Sequence, residues 1–290
     1  MINSEVIAKT DRINETLAAH AAAFRVTNEE VFKNNCGRRN GLILRPTLLS
    51  TKSVCSPVYY PDPDFWRKSE EDLADILEHF FDQYMDSSFI HPDEVKDYLN
   101  PDRIREEIMP RVFNASNAGS MELDGLIHRE ILDLSIGYCI PISEEADIRV
   151  SRKLLEKVKI SEKEADQCAF RNLYGQYFYA PLRDVLSGMG DEVVDSLLNV
   201  LTTLERRYGA ACVLSEKIMN EVCSETGNNL VILPSSIHEV LILNADREFG
   251  DLDGLIDIVR NINATVLKPE DRLSDNVYLY SRQKGLRALY

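Results

Sequence analysis

The sequence predicts an α+β protein. Three observations carry that expectation. Short strand-type segments separated by turn residues stand near the start, helical stripes of apolar residues run through the middle, and a β-α-β-β-α-β succession fills residues 207–290. The expected organisation is a mixed helix and strand region with an antiparallel meander over 1–206, then a ferredoxin-like βαββαβ domain over 207–290.

Taken in order, residues 4–24 place Val6, Ile7, Ile13, Leu17 and Ala21 at helical spacing. Residues 24–32, 41–44 and 54–60 read as strands. The turns between them carry Asn34-Asn35-Cys36-Gly37 and Arg39-Asn40-Gly41, hence the meander. Ser69 and Asp72 open a helix over 69–86 in the manner of a capping box, and Leu73, Ile76, Leu77, Phe80, Phe81 and Tyr84 form its apolar stripe. Asn100-Pro101 caps the next helix; Ile104, Ile108 and Val112 supply its stripe, and Pro110 kinks or ends it. Residues 131–140 alternate, with Leu132, Leu134, Ile136, Tyr138 and Ile140 on one side, which predicts a strand with one buried face. Ser161 and Glu164 make a full capping box for a helix to Leu173.

Tyr174, Tyr177, Phe178, Tyr179 and Pro181 form an aromatic connection. Residues 191–207 predict a helix through Val194, Leu197, Leu198, Leu201 and Leu204. Within the last domain, 208–214 reads as a strand, and Ser215 caps a helix that Gly227 stops. Strands at 230–233 and 237–243 flank a turn of Pro234, Ser235 and Ser236. Leu252, Leu255, Ile256, Val259 and Ile262 mark a helix, and 276–281 a closing strand with Val277 and Leu279 on one face, Tyr278 and Tyr280 on the other.

Composition narrows the function. The 290 residues carry 33 Lys+Arg against 48 Asp+Glu, a net charge of −15. Hydrophobic residues at 44% and charged residues at 28% exclude wholesale disorder. No apolar run reaches the roughly 18 residues that would span a bilayer. A negative surplus of this size repels phosphate, which argues against direct nucleic-acid binding and against anionic membrane surfaces. Glu5, Lys9, Asp11, Arg12 and Glu15 interrupt any secretory signal pattern, so the cytoplasm is the expected location. None of the six cysteines sits in a C-x-x-C pair, so free thiols are expected; Cys139, Cys168 and Cys212 read as small hydrophobes and Cys36 as the exposed one.

Several strings carry a resemblance: LVILPSSIHEVLIL at 230–243, NAT at 263–265, PEDRLSD at 269–275 and VYLYSR at 277–282. KNN at 33–35, GL at 41–42, SP at 56–57 and PRVFN at 110–114 add to it. With them the chain resembles an uncharacterised bacterial family of unknown function, DUF5688, seen in anaerobic gut bacteria and in mobile elements. The resemblance supplies a kinship and no chemistry.

The candidate sites come from the residues themselves. Ser235, Ser236 and His238 are a conceivable nucleophile and base, although the Gly-x-Ser-x-Gly elbow is missing and serine hydroxyls commonly satisfy their own turn. Asp75, Glu78, His79 and Asp82 share a helix face at spacings of three and four, so Asp75, His79 and Asp82 are metal-ligand candidates; His128 is another imidazole. Arg111, Asn114 and Asn117 follow the Pro110 helix and would bond stray carbonyls or contact a partner. No phosphate loop or dinucleotide fingerprint is present, and no cofactor is expected. Residues 62–107 hold 15 acidic and five basic residues, so most of the acidic surplus is concentrated there. The leading expectation is therefore a non-catalytic accessory or interaction protein, docking a basic protein surface through Asp72, Asp75, Glu78 and Asp82, with Arg111 and Asn114 as further contact residues. A hydrolase built on the Ser/His pair or on a metal is the alternative. Sheet edges leave a homodimer open.

Overall fold

The computed structural model describes residues 4–47, 56–88, 97–142, 147–186, 198–246 and 252–289. The chain divides into a smaller unit, residues 1–103 with 142–146, and a larger one, 104–141 with 147–290.

The smaller unit holds α1 (Ser4–Ala19), β1 (Phe24–Lys33), β2 (Gly37–Pro46), β3 (Val58–Tyr59) and α2 (Glu70–Ser88). The strands form the expected antiparallel meander in the order β1-β2-β3. β2 starts earlier than its apolar pattern suggests, because the hairpin arm continues through the polar residues Arg38 to Asn40. Ile13 and Leu17 of α1, Phe24, Val26, Leu42 and Leu44 of the sheet, and Leu73, Leu77 and Phe81 of α2 make one core. Phe24 stacks on Phe81 at 4.4 Å. The amide of Asp72 donates to Ser69 Oγ (3.2 Å), and that hydroxyl donates to the Asp72 carboxylate (2.6 Å), so the start of α2 is capped as the sequence implied.

α3 (Pro101–Glu107) is capped by Asn100, whose side-chain oxygen accepts from the Asp102 amide at 2.8 Å. The helix stops before Val112. Of the expected stripe beyond Glu107, Ile108 precedes β4 (Met109–Asn114) and Val112 lies within it, since a proline at 110 disfavours helical geometry in the residue before it. β4 pairs with β6 (Leu134–Pro141), whose other side meets β5 (Arg129–Ile131) and β7 (Asp147–Arg149). β6 is thus a central strand. Every residue from Leu134 to Ile140 is buried, so the expectation of a single buried face is corrected, and Leu132 lies in a left-handed turn outside the strand.

α5 and α6 follow a short α4 (Ala118–Leu123); they span Arg152–Val158 and Glu162–Tyr174. The Glu164 amide donates to Ser161 Oγ (3.1 Å), as the capping box requires. β8 (Tyr177–Pro181), α7 (Leu182–Leu186), β9 (Asn199–Thr203), α8 (Glu216–Thr226), β10 (Asn229–Pro234), β11 (Val240–Asn244), α9 (Leu252–Thr265), β12 (Val277–Ser281) and β13 (Gly285–Leu289) complete the chain. They build an antiparallel sheet in the order β13-β12-β10-β11-β9-β8.

This sheet departs from the ferredoxin-like expectation. Residues 199–203 form strand β9 instead of continuing a helix; residues 191–197 of that expected helix lie outside the described residues. The spacing of Leu198, Leu201 and Leu204 misled: Val200 to Thr203 are buried between β8 and β11, while Leu204 is 65% exposed. Residues 209–214 form a buried 3-10 turn and not a strand. A short apolar run alone does not distinguish the two. The ferredoxin-like pattern sets its first strand beside its last and both helices on one face. Here two strands, β11 and β10, stand between β9 and β12. α8 packs with Leu230, Ile232, Val240 and Ile242, whereas α9 packs with the opposite face at Val231, Leu233, Leu243 and Val277. β13 adds an edge that the sequence pattern did not disclose. The boundary expected at 206/207 falls inside the larger unit, among strands of one sheet. Among the described residues, no helix is long and apolar enough to cross a membrane.

Candidate functional site

The turn between β10 and β11 carries Ser235, Ser236 and His238. The His238 amide donates to Ser236 Oγ at 3.0 Å, and the Ser236 amide donates to Glu239 O at 3.1 Å. The His238 carbonyl accepts from the Gly209 amide (2.8 Å) and from Thr202 Oγ1 (2.7 Å). The imidazole is equally engaged. Nδ1 accepts from the Tyr208 amide at 3.3 Å, which makes Nε2 the protonated nitrogen, 3.5 Å from Asp271 Oδ1. Burial holds the His238 pKa below its ordinary value; Asp271 opposes this, and the charges of Arg111 and Arg207 reinforce it. The ring is a neutral strut at neutral pH. Both its nitrogens point to groups other than the Ser236 hydroxyl, so the two residues meet through backbone and not as a nucleophile with its base.

Tyr208 extends this array. It holds a left-handed backbone (φ 53°), two residues after Arg206 at φ 54°. A conformation of this kind costs a bulky residue about 1–2 kcal/mol and persists only where surrounding contacts impose it. Here they do. The Tyr208 ring stacks on His238 (5.2 Å), and the Arg111 guanidinium lies 3.8 Å from the ring centroid. Next in the chain, Gly209 is pressed so close to Thr202 that a Cβ would sit 2.4 Å from its Cα. Arg111 Nη1 donates to Asp147 Oδ2 at 3.0 Å, and the Tyr208 hydroxyl donates to the same oxygen at 3.3 Å. The side chains of Arg111 and Asp147 are only 14% and 11% exposed, so this ion pair is largely shielded from water. Beside it opens a cleft of about 420 Å³, its open mouth included, lined by Met109, Pro110, Cys139, Asp147, Arg207 and Tyr208 among others. Burial pushes the Cys139 thiol up to about 12, with Asp147 adding to the effect, so it stays protonated.

A second polar knot lies in the same unit. Asp133, in the turn between β5 and β6, accepts from Ser274 Oγ (2.6 Å), Asn276 Nδ2 (2.9 Å) and the Tyr278 hydroxyl (2.7 Å). Asn114 Nδ2 donates to Leu273 O at 3.1 Å while its Oδ1 accepts from the Ser116 amide. Asn117 Nδ2 donates to Asn114 O, and Asn263 Nδ2 reaches Ser274 O and Asp275 Oδ1. Arg111 and Asn114 therefore serve the fold that surrounds them. The strings at 110–114, 230–243, 263–265 and 269–275 meet here in space.

On α2 the acidic face is open. Glu71, Asp72, Asp75 and Asp82 are exposed, and Leu73, Leu77 and Phe81 face the core. Basic residues of α1 and of the turn after it offset part of the charge: Arg12 pairs with Glu70 at 2.8 Å, and His20 lies between Glu71 (3.0 Å) and Glu78 (3.4 Å). The expected grouping of Asp75, His79 and Asp82 as metal ligands does not form as such. His79 Nε2 meets the Gln83 amide nitrogen at 3.0 Å, and Asp75 converges with Glu78 and His20, their ligand atoms within 4.8 Å of one another. These residues are at the surface, and no ion is assigned to them. His128 Nδ1 lies 3.2 Å from Leu126 O. Cys36 is half-buried, and Cys139, Cys168, Cys212 and Cys223 are buried free thiols.

Sequence reasoning missed His20, Asp133, Asp147, Tyr208 and Asp271. Their partners lie far off in the chain, and no motif spacing marks them. Only the contiguity of Asp271 and of His238 with the strings quoted above offered a signal.

Fold and sites together define an α+β protein whose buried polar groups knit its strands and whose α2 carries an exposed acidic face. Its kinship is settled by sequence: a family model described as a family of unknown function (DUF5688) matches residues 8–282, and the chain belongs to that family. No curated protein and no solved structure matches the chain.

Proposed function

We propose that the protein is a non-catalytic interaction protein that docks a partner with a basic surface on the outer face of α2. The observation that carries this reading is the segregation of charge on that helix. Its apolar side is consumed by the core while Asp72, Asp75 and Asp82 stand in solvent, within a segment of 15 acidic and five basic residues. Such a face steers a basic partner over a Debye length of about 8 Å at physiological salt. Supporting it, the polar atoms of Ser236 and His238 are spent on holding their own turn against residues 202–209 and 271.

The test replaces Asp72, Asp75 and Asp82 together by lysine and compares capture from an extract of the native host at two salt concentrations. The expected result is loss of a salt-sensitive partner whose own surface is basic. Undiminished capture by the lysine variant defeats the proposal.

A further inference from the structure

Two basic side chains of α1, and a third just past its end, face α2 and the residues that lead into it. Lys9 Nζ donates to the carbonyls of Trp66 and Lys68, each at 2.7 Å, and Arg12 Nε donates to Glu70 at 2.8 Å. The third is His20, and imidazole is the side chain whose ordinary titration falls between about pH 5 and 8. The His20 amide closes the end of the helix on Thr16 O (3.0 Å), and Ala21 turns the chain away in a left-handed conformation (φ 56°). That ending delivers the ring to α2, with Nε2 3.0 Å from Glu71 Oε1 and Nδ1 3.4 Å from Glu78 Oε1.

The geometry has a chemical consequence. A neutral imidazole owns one N–H and turns a lone pair outward at its other nitrogen. Placed between two carboxylates it donates to one and repels the other. Only the imidazolium donates to both. Asp75, whose carboxylate comes within 4.8 Å of the His20 and Glu78 ligand atoms, adds a third negative group on the α2 side.

We propose that His20 is a proton-operated latch that ties the end of α1 to α2 when charged and releases it when neutral. The charged groups acting on the ring are Glu71 and Glu78: the hydrogen bond to Glu71 is the largest influence and raises the pKa, and partial desolvation opposes it. Because the folded value lies above the ordinary 6.5, the latch is fully closed below 6.5 and opens as pH rises through the folded value. The latch stands on contacts within one unit and holds whether or not the acidic face docks a partner.

The experiment is an NMR titration of the whole protein, following the His20 ring together with the backbone amides of residues 17–22 and 71–78. The ring is expected to titrate with a midpoint above 6.5, and both sets of amides to shift with that same midpoint. In a Glu71→Gln/Glu78→Gln variant the ring midpoint is expected to fall back towards 6.5, and in His20→Gln the shared amide transition to vanish. A wild-type ring midpoint at or below 6.5 overturns the proposal. So do amides that ignore the ring's titration, or a midpoint unmoved by loss of both carboxylates. The double glutamine variant keeps the test decisive should His20→Gln fold poorly.

Discussion

Two histidines show how differently the two units use the same side chain. His20 lies at the surface of the smaller unit between two carboxylates, and hydrogen bonding to Glu71 raises its pKa. His238 lies in the larger unit with one carboxylate and two arginines acting on it, and burial lowers its pKa. One ring favours its charge and the other is kept neutral. The lesson extends to the acidic groups nearby. Glu71 is 69% exposed and its contacts are screened by water, whereas Asp147 at 11% exposure is locked to Arg111. In these pairs the polar groups of the smaller unit stay at the surface, while those of the larger unit are tied to one another inside the fold.

The comparison breaks if polar residues of the larger unit can be removed cheaply. Asp133→Ala carries the largest expected effect. It strands three donors, from Ser274, Asn276 and Tyr278, that now converge on one carboxylate. At about 1–3 kcal/mol for each unsatisfied group, partly relieved by water, a loss of about 4 kcal/mol in unfolding free energy is expected, read by denaturant titration. Arg111→Ala comes next. Removing one member of a buried pair costs about 3–5 kcal/mol, and Arg207 Nη2, 3.8 Å from the same Asp147 oxygen, softens the loss. A loss of about 3 kcal/mol is expected, with a fall in melting temperature to match. A change under 1 kcal/mol in either variant would show that these groups do not brace the fold.

How far the sequence disclosed this molecule depends on where each signal is stored. Caps and amphipathic stripes are local, so Ser69, Asn100, Ser161 and Ser215 marked true helix starts, and the first hairpin followed from its turn residues. Strand order is not local. The β-α-β-β-α-β succession is compatible with several sheets, and only the pairing of β9 with β11, and of β10 with β12, decides among them. The site divided in the same way. Ser236 and His238 were legible as polar residues in a turn, but their partners Tyr208 and Asp271 lie 30 and 33 residues from His238. Asp133 falls among the alternating residues 131–140 that predict a strand, yet it sits in a turn, and its partners come from the far end of the chain.

The smallest expected effect sharpens the comparison by sign. For His238 the folded pKa lies below the ordinary 6.5, so between those two values the unfolded chain binds the proton that the folded chain refuses. Stability from this group is complete above 6.5 and is lost as pH falls through the folded value. For His20 the order is reversed, and stability is lost as pH rises. Mild acid should therefore loosen the turn between β10 and β11 while it tightens the end of α1. Amide hydrogen exchange measured at two pH values, corrected for the intrinsic rate, reads both places in one sample. Exchange at residues 236–240 is expected to quicken on going below pH 6, and that at 17–20 to slow. In His238→Gln, which carries no titrating ring, the acid response at 236–240 should disappear while that at 17–20 persists. If both places respond with the same sign, burial is not what separates the two rings, and the contrast between an outward-facing unit and a self-committed one fails with it.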